Sequence, residues 1–460
     1  MSATHIVILA AGKGTRMKSA TPKVLHQAGG LPLIEHVLRA AAAVRPITIT
    51  LVVGHQAEEV RAALAGRTGL GFALQEPQLG TGHALLQAEP ALRGATGTLL
   101  LLSGDVPLLR GQTLEALVDA HCRQRSAATV VTARVGNPDG YGRIVRHEGQ
   151  IAAIVEHKDA SPDERRIDEI NSGIYAFDLA LLFDGLRAIG AANAQREYYL
   201  PDLVGIYRQR GLAVHTFALD DEREILGVNS RRELAEVAAI MHKARNEMLM
   251  DSGVTLVDPA AVYVGPDVAI GADTIVHPGV YLEGQTTIGR GCEIHSGVRI
   301  VDSVIGDKVV INNFCVIVSS RVADGAQVGP FARLRPDTVV GEDVHIGNFV
   351  ELKKTSIGRG SKAPHLTYLG DATIGERVNV GAGTITCNYN GVTKNPTVIE
   401  DGAFIGSDSQ LIAPVRVGQG AYVAAGSSIT EDVPPGALAI TRGRQVNKDG
   451  WVERRKARRD

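Results

Sequence analysis

The sequence predicts an α/β chain in two parts: a Rossmann-like nucleotide-binding domain, then, past a connecting helix, a parallel β-helix. Strand-like apolar runs alternate with helix-like, alanine- and leucine-rich stretches up to about residue 230. Beyond about residue 253 the helical signals stop, and an aliphatic–glycine pair recurs at steps of about six. A chain of 460 residues also exceeds what one core holds, so separate domains are expected over 1–229 and 253–460, with 230–252 as a helical linker. The net charge of -2 gives no whole-chain attraction to nucleic acid or an anionic membrane. The cysteines at 122, 292, 315 and 387 form no close pair and no metal-ligand spacing, which suits a reducing compartment. No stretch approaches the ~20 apolar residues of a membrane span. The opening apolar run, of about six residues, leads into Gly12-Lys13-Gly14 and is too short for a secretory signal. A cytoplasmic protein is expected.

In the first half, "HIVILA" (5–10), "ITITLVVG" (47–54), "TLLLLSGD" (98–105) and "ATVVTARV" (128–135) read as buried strands. Between them "LIEHVLRAAAAV" (33–44) and "AEEVRAALAG" (57–66) read as helices. That alternation predicts a mostly parallel sheet covered on both faces, with ligands outside the carboxyl ends of the strands. Two loops leave strands at that end: "LAAGKGTRM" (9–17) and "SGDVP" (103–107).

The first loop lacks the Gly-x4-Gly-Lys-Ser/Thr of a P-loop and the third glycine of the dinucleotide fingerprint. Its small residues still let backbone N–H groups approach a phosphate, and Lys13, Arg16 and Lys23 add positive charge. On the glycines alone it reads equally well as a plain strand-to-helix turn. Asp105, at a strand end, is a candidate oxygen ligand for Mg2+, or else a turn aspartate. "LQEPQLGTGHA" (74–84) offers amide, hydroxyl and backbone groups for a base or sugar. "GYGRI" (140–144), "IVEHKD" (154–159) and "EINSGIY" (169–175) set polar groups among short strands, as a sugar pocket needs.

Taken in order, L-A-A-G-x-G-T-R-M, P-K, G-T-x-H, G-D-V-P, G-Y-G-R-I, V-E-H-K-D and I-N-S-G resemble the sugar-phosphate nucleotidyltransferases. Among these they resemble the uridyltransferase half of the bifunctional bacterial enzymes that make UDP-N-acetylglucosamine. The resemblance implies that Leu9, Ala10, Ala11, Gly12, Lys23, Gln75, Gly80 and Thr81 hold the uridine nucleotide, with Ser103 and Gly104 beside them. It implies a sugar side at Gly142, Glu156 and Asn171, and Mg2+ at Asp105 and Asn229. Many relatives carry an aromatic residue where Ser103 stands. The implied reaction is in-line attack of a sugar-1-phosphate on the α-phosphate of UTP, with Arg16 and Lys23 as charge clamps.

Ser230, with Glu233 three residues later, is a capping box, and Leu234, Val237, Met241, Ala244 and Met248 recur at helical spacing. A spacer helix of about nineteen residues, roughly 28 Å long, is expected, with its methionines in packing.

From Val264-Gly265 the pair recurs at Ile270, Ile288, Ile305, Val328, Val340, Ile346, Ile357, Ile374, Val380, Ile405 and Val417. Each aliphatic residue points into a narrow prism, the glycine permits the corner, and three edges make a coil. The wide gap between Val380 and Ile405 predicts an inserted loop, "TITCNYNGVTKNPT". A β-helix alone is a stalk, a trimerising module or a regulatory scaffold. Here "GPFARLRP" (329–336), "NFVELKK" (348–354), "SKAPHLTYLGD" (361–371) and "NVGAGTITCNYNG" (379–391) load successive coils with Arg, Lys, His, Tyr and Asn.

These segments resemble the acetyltransferase half of the same bifunctional family, whose C-terminal fold is a left-handed parallel β-helix. The resemblance thus covers essentially the whole chain. It implies acetyl transfer from acetyl-CoA to glucosamine-1-phosphate before uridylyl transfer, supplying precursors for peptidoglycan and lipopolysaccharide. It implies His365 as general base. Arg335, Lys353, Tyr368, Asn379 and Lys394 would hold the acceptor, and Ala382, Asn388, Tyr389, Ser407, Ala425 and Arg442 the acetyl-CoA. Asn390 stands where the family has aspartate. A homotrimer with acyl sites between subunits is also implied. The charged tail "WVERRKARRD" reads as a solvated end.

Overall fold

The computed structural model describes residues 3–456, so the last four residues of the charged tail lie outside the described residues. The chain divides into two compact units, Met1–Met241 and His242–Asp460.

The first unit is built on one sheet whose main path runs Val214–Ala218, Ala128–Arg134, Glu169–Asp178, Thr98–Ser103, Thr4–Ala10, Thr48–Val53, Leu70–Leu74. All neighbours along it are parallel except Glu169–Asp178, which is antiparallel to both of its partners. The sequence suggested only short strands around 169–175, whereas this strand runs ten residues through the middle of the sheet. A hairpin, Arg143–His147 with Gln150–Val155, pairs off its start. Alternation along Thr4–Ala10 sends Val7 to one face and Ile6, Ile8 and Ala10 to the other. Leu85, Leu182 and Leu203 cover the first face; Ile34, Leu38, Val60 and Leu114 cover the second. Helices therefore lie on both faces, and the strand ends carrying Ala11 and Ser103 are left for a site.

The second unit is a three-sided solenoid of short parallel strands, in sheets of eleven, ten and nine. Pairing partners such as Ile275 and Glu293, or Thr287 and Val304, stand 18 and 17 residues apart, so one coil is three hexapeptides. The aliphatic positions form one continuous core. At roughly 1.5–3 kcal/mol for each buried aliphatic side chain, this column is the main stabilising element of the unit.

The glycines after these aliphatics serve a purpose other than the one expected. Gly271 and Gly375 do not turn the corner through a left-handed backbone; a Cβ there would strike the next coil, 2.7 Å from Gly289 and 2.2 Å from Asp401. The left-handed residue comes two positions later, Asp273 at φ 64° and Arg377 at φ 52°. The inserted loop opens between Ile385–Cys387 and Thr397–Ile399, where Ala372 pairs with Thr397 at a separation of 25 residues. Tyr389 and Lys394 bridge across it as a small antiparallel turn.

The helix Arg231–Asp251 is 21 residues long. Ser230 Oγ accepts from the Glu233 N–H at 3.3 Å, but the returning Glu233 carboxylate takes the N–H of Asn229, not of Ser230. Val237 and Met241 pack on Met17, Ala28 and Leu33. Past His242 the apolar period fails, leaving Met248 exposed where packing was expected. The buried face passes to Asn246 and Leu249, with Asn246 donating to the carbonyls of Pro259 and Val262. Trp451–Lys456 closes the described chain as a short exposed helix, in a stretch read from the sequence as a solvated end.

Candidate active sites

In the first unit a cleft of about 300 Å³ opens at the strand ends. Leu9, Ala10, Ala11, Gly12, Lys23, Gln75, Gly80, Thr81, Ser103 and Asp105, all expected from the sequence, line it. Its two loop glycines differ in kind. Gly14 is required by the fold, with φ 58° and a Cβ position 2.9 Å from Lys23 Cβ. Gly12 is not: a Cβ there meets nothing within 4 Å, so the space beside it is open to a ligand.

Lys23 is the electrostatic centre of the cleft. Its ammonium pairs with Asp105 and donates to Asn229 Oδ1 at 3.1 Å. Asn229 comes from the far end of the unit and is fixed by two backbone contacts. The Val228 N–H donates to the Asp105 carbonyl at 2.9 Å, and Glu233 holds the Asn229 N–H at 2.7 Å. The first turn of the long helix thus positions this side chain. Asp105 and Asn229 present two oxygens around one cation, a donor set that suits a hard ion such as Mg2+.

Gln75 is buried, donating to the Gly80 carbonyl at 3.0 Å and lying 3.2 Å from His83 Nδ1. Gly80 must be glycine, since a Cβ would fall 2.7 Å from the Tyr198 carbonyl oxygen. Thr81 Oγ1 accepts from the Leu200 N–H at 3.2 Å. The Gly104 N–H donates to the Leu9 carbonyl at 2.9 Å, which ties the two loops together. Gly142, Glu156 and Asn171 also meet: a Cβ on Gly142 would lie 3.3 Å from Glu156 Oε1 and 3.5 Å from Asn171 Cβ. They join the cleft through Gly173, whose Cβ position is 3.7 Å from Ser103 Oγ. Burial pushes the Glu156 carboxyl above its usual range; Asp159 and Asp202 push the same way and Arg143 opposes them. Arg16 is exposed and does not line the cleft.

Sequence reading missed Gln78, which donates to the Ala11 carbonyl, and Glu197, which lines the cleft. It also missed Arg143, a fully buried guanidinium beside His157. Its place inside "GYGRI" was a signal; a wholly buried arginine needs a reason.

In the second unit two columns of candidate site residues climb successive coils. The first is Asn348, His365, Ala382, Ser407, Ala425 and Arg442. Asn348 pairs with His365 in the ladder, and the Gly383 N–H meets the Leu366 carbonyl at 3.1 Å. The Asp408 N–H then donates to Ala382 at 2.7 Å, and the Gly426 N–H to Ser407 at 2.8 Å. Arg442 Nη1 donates to the Ala425 carbonyl at 2.7 Å. His365 is exposed, and its Nδ1 lies 2.7 Å from Asn348 Oδ1.

The second column is Arg335, Lys353, Asp371 and Asn388. Arg335 pairs with Glu351 at 3.0 Å, Lys353 with Asp371 at 3.5 Å, and Asn388 donates to the same Asp371 carboxylate. The Tyr368 hydroxyl sits over Gly370, where a Cβ would come within 2.4 Å of it. A hydrogen bond with Lys353, and then the charge of its ammonium, hold the neighbouring Lys394 amine below its usual range, with Asp371 opposing. Asn379 stands in register with Lys362 on the sheet that carries His365. Tyr389 is exposed on the inserted loop, its hydroxyl donating to Gly391. His365 and Tyr368 flank one corner, at Leu366 (φ 47°). Among the described residues no hydrogen bond or ion pair joins His365 to Arg335, Lys353 or Tyr368. Asp371 and Glu351 were missed; they neutralise the cations and carry no motif of their own.

Comparison with known proteins follows the same division. The MobA-like NTP transferase domain family matches residues 6–173, the GMPPB C-terminal domain 264–362, and the bacterial transferase hexapeptide (six repeats) 396–431. The bifunctional protein GlmU of Pelobacter propionicus is 53% identical over 451 residues, covering 98% of both chains. That of Heliobacterium modesticaldum is 52% identical with the same coverage. The chain belongs to the bifunctional GlmU family. Its Shouchella clausii relative, 49% identical, is covered over 100% of its length. The chain is accordingly a bifunctional transferase of UDP-N-acetylglucosamine synthesis, with a nucleotidyltransferase unit and a hexapeptide acetyltransferase unit. No helix among the described residues is long and apolar enough to cross a membrane.

Proposed function

We propose that residues 253–460 acetylate glucosamine-1-phosphate with acetyl-CoA, and that residues 1–229 then couple the product to UTP with Mg2+. Residues 230–252 connect the two. The observation that carries this reading is that each unit holds its own lysine–carboxylate pair among the candidate residues: Lys23 with Asp105 in the cleft at the strand ends, and Lys353 with Asp371 on the coils that carry His365 and Tyr368.

In the acetyl site, Nδ1–H of His365 donates to Asn348, which leaves Nε2 to take a proton from the acceptor ammonium. The freed amine attacks the thioester carbonyl, a C–N bond forms, and the C–S bond breaks as the coenzyme thiolate leaves and takes up the second proton shed by the amide nitrogen. The Ala382 N–H serves the oxyanion. Arg335, Lys353, Tyr368, Asn379 and Lys394 hold the sugar phosphate, and Asn388, Tyr389, Ser407, Ala425 and Arg442 hold the coenzyme.

In the uridyl site the open space at Gly12 admits the triphosphate to backbone N–H groups, and Gln75, Gly80 and Thr81 read the nucleoside. Gly142, Glu156 and Asn171 take the N-acetyl sugar. A phosphate oxygen of the sugar attacks the α-phosphorus of UTP, and pyrophosphate leaves with its α–β bridging oxygen. Lys23 serves the sugar phosphate or the α-phosphate, and Arg16, exposed on the same loop outside the cleft lining, meets the leaving pyrophosphate. Mg2+, held by Asp105 and Asn229, would supply charge neutralisation on the phosphates.

The proposal extends to a homotrimer in the cytoplasm. Exposed rings of Phe314, Phe331 and Phe349, stacked 5.2 Å apart on successive coils, offer an apolar face, and four free cysteines suit a reducing compartment. The test is a pair of variants. Asp105→Asn should accumulate N-acetylglucosamine-1-phosphate, while His365→Ala should make UDP-N-acetylglucosamine only when the acetylated sugar phosphate is supplied. Loss of both activities in each folded variant would defeat the division.

A further inference from the structure

Early in the β-helix, away from both columns in the sequence, His277, Glu293 and His295 bring three ligand atoms within 4.8 Å of one another. The ladder sets this up. Ile275 pairs with Glu293 and Val276 with Ile294, so His277 and His295 are stacked on consecutive coils. Val276 and Ile294 are fully buried, and by alternation their neighbours face outward. The two imidazoles stack at 4.8 Å and 18°, and both turn Nε2 toward the same oxygen: Glu293 Oε1 is 3.4 Å from His277 Nε2 and 3.5 Å from His295 Nε2.

Those distances exceed the usual 2.7–3.2 Å of N–H···O hydrogen bonds, so neither histidine is well paired by the carboxylate. The two nitrogen–oxygen separations match a different arrangement, in which the rings turn out of their stack to aim both Nε2 atoms at one ion. Ligands about 2.0–2.1 Å from a tetrahedral zinc stand about 3.4 Å from each other. Two neutral imidazoles and one carboxylate form an N2O set, which selects a borderline ion such as Zn2+ over hard Mg2+. All three side chains are partly open to solvent, which leaves a path for the ion and a fourth position for water.

We propose that His277, Glu293 and His295 bind one zinc-class divalent transition-metal ion, clamping the two consecutive coils that carry them. The site is independent of the two transferase sites. Neither activity depends on it, and its failure would leave both untouched.

The test uses the full chain, stripped with chelator and then saturated with Mg2+. Co2+ is added under visible spectroscopy, and Zn2+ under calorimetry and thermal melting. One equivalent of Co2+ per chain should give the intense d–d bands of a tetrahedral site. Zn2+ should raise the melting midpoint in proportion to the logarithm of its concentration. His277→Ala and His295→Ala should each weaken Zn2+ binding roughly 100-fold or more and abolish the bands. Glu293→Gln keeps side-chain size and should also lose the bands, and unchanged acetyl transfer in it certifies the fold. Absence of binding in the parent chain, or equal binding in all three variants, would overturn the site.

Discussion

Asn348 Oδ1 lies 2.7 Å from His365 Nδ1, across adjacent coils and in ladder register. The contact fixes the imidazole with its other nitrogen free. Asn348→Ala should lower kcat for acetyl transfer on the order of tenfold, with KM for the sugar phosphate nearly unchanged. His365→Ala should cost about 10²–10⁴-fold. The pH profile separates positioning from mere folding. The asparagine variant should retain an altered acid limb, on which activity falls as the imidazole takes up a proton, whereas the histidine variant should lose that limb. Steady-state kinetics across pH 6–9 with the full chain checks both.

Gly347, which precedes Asn348, lies hard against the next coil, a Cβ there falling 1.8 Å from the Pro364 carbonyl oxygen. Gly347→Ala should force these coils apart just beside His365, at a cost of about 1–3 kcal/mol. Acetyl transfer should fall while uridylyl transfer is kept. Chemical denaturation, with both assays run on the same preparation, reads this out.

In the first unit, Lys23 stands between the two candidate metal ligands. Lys23→Ala removes the cation that the nucleotide phosphates meet and leaves Asp105 unpaired. Uridylyl transfer should drop by about 10²–10³-fold, in the range of a lost electrostatic donor. Acetyl transfer should be unaffected. Coupled assays of pyrophosphate and free-thiol release distinguish the two.

His121 supplies a pH dependence. Its imidazole is buried against Thr129, with Nδ1 2.9 Å from Thr129 Oγ1, and burial lowers its pKa to about 4. In the unfolded chain it titrates near about 6.5. The unfolded state therefore binds the proton first. Stability from this group is complete above about pH 6.5 and is lost as pH falls toward 4, by no more than about 3 kcal/mol. His121→Gln should flatten the acid limb of the first unit's melting curve between pH 6.5 and 4. An unchanged limb would assign the acid sensitivity elsewhere.

Much of this architecture is legible in the residues, for identifiable reasons. Buried parallel strands give continuous apolar runs, so four strands of the first sheet were visible; the edge strands Leu70–Leu74 and Val214–Ala218, only partly buried, were not, and the polar "EINSG" start of Glu169–Asp178 disguised a central strand. Hexapeptide periodicity displays the β-helix directly, and successive steps of 17, 25, 18 and 17 residues lead from His365 to Ala382, Ser407, Ala425 and Arg442. Counter-ions were not legible. Asp371 and Glu351 look like any surface acid until the coil places them against Lys353 and Arg335. The second half of the long helix misled because it caps its unit with Asn246 and His242, polar groups that an apolar period does not register.

Product analysis with one substrate left out tests the two-step scheme most directly. The full chain is given glucosamine-1-phosphate, UTP and Mg2+, with and without acetyl-CoA, and the sugar nucleotides are identified by mass. UDP-N-acetylglucosamine should form only when acetyl-CoA is present. Nucleotide sugar appearing at an equal rate without it would contradict acetylation before uridylyl transfer.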